Sequence, residues 1–217
     1  MNQPVITSFG KGHWYPKGIE RLKKSCDQFG VKCTPFLNYP IGSPTHEQIP
    51  YAFKIHCMEA VRHYHNVVLW ADSSVWLMND PKPIFDIIKE QGYIIFDNFG
   101  NNNAHWCNDR QLWRFNFTRD EAEKQKHVVG GLFGIDFSSE IGNEIFNQYK
   151  LLADLFKGEW SNKNLTESID PRCQGSRHDQ SILSLIAAQR GLTITDQNKF
   201  FTFDPTQKDC IFALQGM

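Results

Sequence analysis

The chain has 217 residues, of which 41% are hydrophobic and 22% are charged, a composition typical of a folded protein rather than a disordered one. This length fits a single domain over residues 1–217. The 23 Lys and Arg residues against 24 Asp and Glu residues give a formal net charge of -1. This balance excludes a dedicated nucleic-acid binder, which needs a surplus of basic residues to neutralise phosphates.

No apolar run is long enough to span a bilayer, and the first residues lack the basic and apolar regions of a signal peptide. The six cysteines are scattered without a CxxC pair, which is typical of free thiols in a reducing compartment. We therefore expect a cytoplasmic protein, or a soluble domain of a longer protein.

Short β-type runs alternate with amphipathic helical stretches along the chain, which predicts an α/β fold. Strands are predicted at 4–9, 31–36, 67–70, 93–96, 127–135, 200–203 and 210–214. Helices are predicted at 17–29, 50–64, 83–90, 141–156 and 176–190. The segments 37–48 and 97–117 are predicted as loops, and the second carries Trp106 and Trp113.

Asp72 directly follows the apolar run 67–70, where a charge is costly unless it lies at the edge of the sheet. Ligands of open α/β sheets bind outside the carboxyl ends of the strands. A carboxylate there can hold a cation that neutralises a diphosphate, and Ser73 and Ser74 can bind ribose or phosphate oxygens. The alternative is a local turn that Asp72 caps together with the two serines.

Asp179 also has two interpretations. Ser176 and Asp179 form an S-x-x-D capping box before an apolar run, which explains the acid without any catalysis. A carboxylate at a helix N-terminus is also electrostatically favoured and can serve as a general base. Similarly, Gly130 and Gly131 indicate either a strand bulge or a surface that a sugar ring can approach closely.

Three segments, in order, resemble GT-A fold glycosyltransferases. The run 67–75 resembles the segment around the family's DxD motif, where an apolar strand ends in Trp-x-Asp-x-Asp. The run 130–135 is similar to the strand whose glycines lie under the donor sugar, and 177–181 resembles the family's Asp-Gln helix start. The resemblance implies a GT-A-like (Rossmann-like) mixed, mostly parallel sheet flanked by helices, forming one glycosyltransferase-like catalytic domain.

The resemblance further implies transfer of a sugar from a nucleotide diphosphate sugar, a UDP-sugar, to a hydroxyl of a glycan or other acceptor. Asp72 and Asp179 are the implied catalytic residues, with Asp179 as the base if the reaction inverts configuration. The 97–117 segment is the expected acceptor-facing wall. The implied donor-binding residues are Thr7, Ser8, Phe9, Lys11, Tyr15, Lys54, Trp70, Ala71, Asp72, Ser73, Ser74, Gly130, Gly131, His178 and Gln180.

The chain departs from the family motif at Ser74, which stands where the second acid usually grips the metal. Asp72 and Ser74 are the expected ligands of a Mn²⁺ or Mg²⁺ ion. Because serine is a weaker, neutral ligand, Lys11, Arg21 and Lys54 are alternative sources of positive charge.

Several alternatives stay open at this point. Lys54 can be an ordinary solvated lysine, and Phe9 and Tyr15 can be core residues rather than a stacking surface for the base. The alternative functions are a non-catalytic nucleotide- or glycan-binding domain of the same fold, and a nucleotidyltransferase of related architecture.

Overall fold

The computed structural model describes residues 3–215. The single-domain prediction also covers residues 1, 2, 216 and 217, which lie outside this range, and it stays a prediction. The strands are β1 (Val5–Phe9), β2 (Lys32–Phe36), β3 (Val67–Ala71), β4 (Val75–Leu77), β5 (Tyr93–Asn102), β6 (Lys126–Asp136), β7 (Phe201–Thr202) and β8 (Phe212–Leu214). The helices are α1 (Tyr15–Gln28), α2 (Phe53–Arg62), α3 (Lys82–Gln91), α4 (Asn103–Trp106), α5 (Asp109–Arg114), α6 (Arg119–Glu123), α7 (Glu140–Leu151) and α8 (Asp179–Arg190), and a 3-10 helix spans Ala153–Phe156.

Five strands form the main sheet in the order β2-β1-β3-β6-β5. β1 is parallel to β2 and β3, whereas β6 is antiparallel to both of its neighbours. Four of the five strands therefore run in one direction, and β6 alone runs in the other. The predicted mixed, mostly parallel sheet flanked by helices is confirmed.

Successive residues of the central strands enter two different cores, as the two-residue period of a strand requires. Val5 and Val68 belong to the core formed with α2, α7 and α8, while Ile6 and Leu69 belong to the core formed with α1, α3 and the second sheet. Because both faces are covered, β1 and β3 are buried along their whole length, which explains why β3 is continuously apolar and why Thr7 and Ser8 of β1 are buried.

The second sheet has three strands in the order β4-β8-β7 and closes over the turn that follows β3. The Ser74 carbonyl accepts hydrogen bonds from Arg21 Nη2 (3.1 Å) and from the Gln215 N–H (3.0 Å). Arg21 Nη2 also donates to the Gln215 carbonyl (2.9 Å), and its guanidinium lies 3.8 Å from the ring of Trp76. Residues from the two ends of the chain thus fix the Ser74 turn.

The loop predicted at 97–117 is wrong, and β4 and α6 were missed. β5 continues to Asn102 because it stays paired with β6 through register irregularities. Two short helices follow, and the side chains of Asn102 and Asn108 cap them. Local capping thus orders a stretch in which hydrophobic periodicity is absent.

Two helix starts also differ from the prediction. α2 begins at Phe53 rather than Pro50, since Tyr51 has a φ of 60°, which a right-handed helix cannot include. α8 begins at Asp179, directly after His178 with a φ of 55°. The predicted helix ends at Gly92 and Gly191 are confirmed, with both glycines in the left-handed region.

Within residues 3–215, each helix is too short or too polar to cross a bilayer. The six cysteines are free thiols, as expected.

Candidate active site

A cavity of about 380 Å³ lies where β1 and β3 end, at the edge of the sheet that the strand directions predict. Aromatic side chains dominate its wall, and Asp72 and the two serines form part of it. The lining residues are Phe9, Gly10, Lys11, His13, Trp14, Tyr15, Tyr39, His46, Glu47, Tyr51, Phe53, Asp72, Ser73 and Ser74.

The Asp72 side chain is held by Trp70 and Lys54 rather than by the backbone of its own turn. Its Oδ1 accepts a hydrogen bond from Trp70 Nε1 at 2.7 Å and lies 3.2 Å from Lys54 Nζ. Its backbone N–H donates to the carbonyl of Gly131 at 2.8 Å. One third of the side chain remains exposed at the cavity, so the alternative of a purely local turn cap is wrong for this carboxylate.

Lys54 is buried, so its interpretation as a solvated lysine is wrong. Its ammonium lies 2.9 Å from Asp179 Oδ2 and donates to the Gly130 carbonyl at 2.9 Å, besides contacting Asp72. Burial by itself lowers the pKa of a lysine, but here the carboxylates of Asp179 and Asp72 outweigh it and raise the Lys54 pKa. A permanent positive charge therefore links β3, β6 and α8 beneath the cavity.

Asp179 is the buried partner of Lys54 and is only 3% exposed. Its Oδ2 also accepts a hydrogen bond from the Tyr149 hydroxyl at 3.1 Å. Burial raises the pKa of Asp179, and the Lys54 ammonium opposes that rise. Burial and the Asp179 charge raise the pKa of Tyr149, so this phenol stays a neutral donor.

The capping-box interpretation of Asp179 is wrong in the structure. α8 has no side-chain cap, because its N-cap is His178 rather than Ser176. The Ser176 hydroxyl instead accepts hydrogen bonds from the His178 N–H and from Gln111. The sparsely populated backbone conformation of His178 turns the chain so that Asp179 enters the buried network.

Gly130 and Gly131 are needed because other side chains approach them closely. A Cβ on Gly131 would lie 3.1 Å from Asp72 Oδ2, and one on Gly130 would lie 2.8 Å from Gln180 Cβ. Both residues lie within β6 where its register against β5 shifts between Val128 and Phe133, which agrees with the predicted alternative of a strand bulge. The glycines thus let the Asp72 carboxylate and the start of α8 pack against this strand.

The cavity brings together six of the predicted donor-binding residues: Phe9, Lys11, Tyr15, Asp72, Ser73 and Ser74. Phe9 packs on Tyr39 and Phe53, with ring centroids 4.9 and 4.4 Å apart. Phe9 is therefore both a core residue and part of the cavity wall.

Other predicted donor-binding residues lie behind this wall. Thr7 and Ala71 are buried in the sheet, and the Thr7 hydroxyl donates to the Thr34 carbonyl. Ser8 is also buried, and its hydroxyl has no partner among residues 3–215. Trp70 is buried and acts on the site through its hydrogen bond to Asp72.

His178 and Gln180 flank Asp179. Nδ1 of His178 lies 2.9 Å from the Phe156 carbonyl, and its ring is 5.6 Å from that of Tyr51. Gln180 Nε2 lies 3.2 Å from His127 Nδ1. These contacts fix the start of α8 beside the cavity.

Sequence reasoning missed the residues contributed by the 37–52 segment, among them Tyr39, His46 and Tyr51. It also missed Tyr149, which the sequence placed only within the predicted helix 141–156. No local pattern distinguishes these residues, because their roles arise from tertiary contacts. The only sequence feature that could have drawn attention to Tyr39, His46 and Tyr51 is that three ring side chains occur close together around Pro50.

The site can accept a divalent cation only if the substrate supplies further ligands. Asp72 Oδ1 already contacts Trp70 and Lys54, which leaves Asp72 Oδ2 and the Ser74 hydroxyl oxygen as the atoms that could bind a metal. Among residues 3–215, no cluster of three His, Cys, Asp or Glu side chains could hold a metal. Magnesium typically keeps several waters and binds through one or two carboxylates plus substrate phosphates, so the donor set fits an ion that arrives with a diphosphate.

Neither the models of known protein families nor the curated proteins gave a match to this sequence. Among solved structures, the chain is similar to a glycosyltransferase involved in the glycosylation of the major capsid of PBCV-1. The two share 15% identity at a TM-score of 0.50, over 97% of this chain and 92% of that one. At this identity the similarity shows the fold alone, which is an α/β fold of the glycosyltransferase type.

Proposed function

We propose that this chain transfers a sugar from a nucleoside diphosphate sugar, a UDP-sugar, to a hydroxyl of a glycan or other acceptor. The observation that carries the proposal is Asp72, a carboxylate at the end of a buried strand and at the edge of an aromatic-lined cavity. Trp70 and Lys54 fix one of its oxygens, so the other is presented in a defined direction. The glycosyltransferase-type fold supports the same assignment.

The aromatic part of the cavity suits a nucleobase. Phe9, Tyr39 and Tyr15 offer ring faces on which a uracil can stack. Lys11 Nζ lies 4.9 Å from the centre of the Tyr39 ring, so a cation stands beside this surface. We place the base among these rings and the diphosphate between Lys11 and the Asp72 turn.

The chemical demand of the reaction is to stabilise the leaving nucleoside diphosphate more in the transition state than in the ground state. Lys11 and the buried Lys54 supply positive charge on the protein side. A Mn²⁺ or Mg²⁺ ion held by Asp72 Oδ2, the Ser74 hydroxyl and phosphate oxygens would neutralise further charge on the leaving group.

For Asp179 we propose a positioning role instead of general base catalysis. Its buried carboxylate accepts from both Lys54 and Tyr149, which leaves it poorly accessible to an acceptor hydroxyl. Through Lys54 it fixes Asp72, the group that faces the cavity.

The proposal is tested by measuring UDP release from a panel of UDP-sugars, with and without Mn²⁺, for the wild type and for Asp72→Asn. We expect the variant to lose about 100-fold in rate, since the carboxylate is removed where charge develops. Asp27→Asn is the matched control, because Asp27 is exposed near the far end of α1, about 18 Å along the helix from Tyr15.

Equal rates for Asp72→Asn and Asp27→Asn would reject the role of Asp72. Tight UDP binding by calorimetry without release from any donor would instead indicate a non-catalytic nucleotide-binding domain. Pyrophosphate release from a nucleoside triphosphate and a sugar phosphate would indicate a nucleotidyltransferase.

A further inference from the structure

Arg177 lies just before Asp179, and two tryptophans hold its guanidinium in place. The guanidinium carbon is 3.5 Å from the ring centre of Trp106 and 3.7 Å from that of Trp160. Arg177 Nη1 donates to the Trp160 carbonyl at 2.8 Å. Stacking and this hydrogen bond together fix the plane of the guanidinium, which leaves its other N–H groups with a defined direction.

This fixed cation has no anionic partner in the part of the chain that the structure describes. Within residues 3–215, no carboxylate oxygen lies within 4.0 Å of an Arg177 nitrogen. The acids of the same segment point elsewhere: Glu159 accepts from Thr166, and Glu167 accepts from Asn108. Partial burial of the unpaired guanidinium lowers its pKa to about 10. Charges in such surroundings are normally paired.

Ring contacts connect the cavity with the tryptophans around Arg177. The ring of His178 lies 5.6 Å from that of Tyr51, which lines the cavity, and 5.8 Å from that of Trp160. His178 thus lies between the Tyr51 side of the cavity and the stacked Trp160 and Arg177 side chains. Trp160 is about half exposed, so one of its faces is open for contact with a sugar ring.

The surroundings of Arg177 add no compensating negative charge. His127, whose charge would interact with Arg177, is fully buried behind Gln180. Burial, together with the Arg177 and His105 charges, lowers the His127 pKa to about 3, so this imidazole is neutral. Its buried Nε2 has no partner among the described residues.

We propose that Arg177 binds an anionic substituent, a carboxylate or a phosphate, carried by the sugar substrate. This inference rests on the proposed function. A planar guanidinium forms paired hydrogen bonds with carboxylates and phosphates, and the fixed orientation of Arg177 reduces the entropy lost in forming them. The substituent can belong to the donor sugar, as in a uronate, or to an acidic acceptor.

The experiment compares charged and neutral substrates of the same shape for the wild type, Arg177→Met and Arg177→Lys. UDP-glucuronate against UDP-glucose tests the donor, and p-nitrophenyl β-glucuronide against the β-glucoside tests the acceptor. We expect wild type to prefer one charged member, and Arg177→Met to raise its KM at least tenfold while changing that of the neutral member less than twofold. Arg177→Lys should fall between them, since it keeps the charge but loses the planar fork.

Arg114→Met is the control, because Arg114 is exposed and makes no hydrogen bond through its side chain within residues 3–215. Equal KM increases for charged and neutral substrates in Arg177→Met would overturn the inference and leave Arg177 as a structural clip between two tryptophans. No preference of the wild type for any charged substrate would also overturn it.

Failure of the proposed function is distinguished by calorimetry. If wild type releases UDP from no donor, that function fails. Binding of UDP-glucuronate, UDP-glucose, glucuronate and glucose then decides the inference. Tighter binding of a charged member, lost in Arg177→Met, supports the anion site, and equal binding of charged and neutral members rejects it.

Discussion

At the scale of single residues, the candidate site is built around one buried cation. Lys54 contacts two carboxylates that differ in exposure, since Asp179 is buried and Asp72 reaches the cavity. A buried ion pair is not by itself a large source of stability, because desolvation offsets much of the attraction. Removal of one partner is different, as it leaves the other charge buried and unpaired.

Lys54→Met should therefore lower the free energy of unfolding by about 3–5 kcal/mol. Lys54→Met/Asp179→Asn should recover part of this loss, because it removes the stranded carboxylate. Urea denaturation of the three proteins measures both effects. A double variant no more stable than Lys54→Met would contradict the pairing described here.

The free energy of unfolding of Lys54→Met should also depend on pH, through Asp179. Burial raises the Asp179 pKa, and without Lys54 nothing of comparable strength opposes that rise. Between the ordinary carboxyl pKa of about 4 and the raised folded value, the folded state binds more protons, so stability falls as pH rises. The deficit of Lys54→Met relative to wild type should be smaller at about pH 5 than at about pH 8.

At the scale of elements, β6 determines how closely Asp72 and α8 can pack around the site. Its two glycines let Asp72 approach from β3 and Gln180 from α8, which are different elements on different sides of the strand. Any side chain on β6 at these positions must displace one of them.

Gly131→Ala should displace the Asp72 carboxylate, since the new Cβ would lie 3.1 Å from its Oδ2. We expect about tenfold slower UDP release with a small change in Tm, because misplacement of a reacting group costs rate more than stability. In the Asp72→Asn background, the alanine should slow UDP release less than twofold, because the rate no longer depends on the position of a carboxylate. Equal effects of the alanine in both backgrounds would show that it acts elsewhere.

Most strands and most helices could be predicted from the sequence, because burial on both faces makes β3 continuously apolar and one-sided burial gives α7 an apolar stripe. Asp72 could be predicted because it breaks such an apolar run. The partnership of Lys54 with Asp179 could not, since it joins residues far apart in the chain. The roles of Tyr51 and Tyr149 likewise depend on packing that no local pattern encodes.

At the scale of the whole molecule, the small sheet supports the turn that carries Ser73 and Ser74. Arg21 from α1 and Gln215 after β8 meet at the Ser74 carbonyl. Gly18 on α1 also allows close packing, since a Cβ there would clash with the Ser73 carbonyl. The Ser73 and Ser74 side of the cavity is thus fixed from outside the main sheet.

Arg21→Met should keep much of the packing on Trp76 but lose the hydrogen bonds to two carbonyls. We expect about 1–3 kcal/mol of destabilisation and weaker UDP binding, because the Ser74 turn loses a support. Lys24→Met, at an exposed position on the same helix, is the control. The two variants are compared by urea denaturation and by calorimetry with UDP, and indistinguishable results would refute the support.

The bond from the Gln215 N–H to the Ser74 carbonyl makes the turn between β3 and β4 depend on a segment far along the chain. Gln215 directly follows β8, which pairs with β4 and β7 rather than with the main sheet. Local opening of β8 would therefore release the Ser73 and Ser74 wall of the cavity while β1 and β3 stay paired. Amide hydrogen exchange would then be faster at Gln215 than in the central strands.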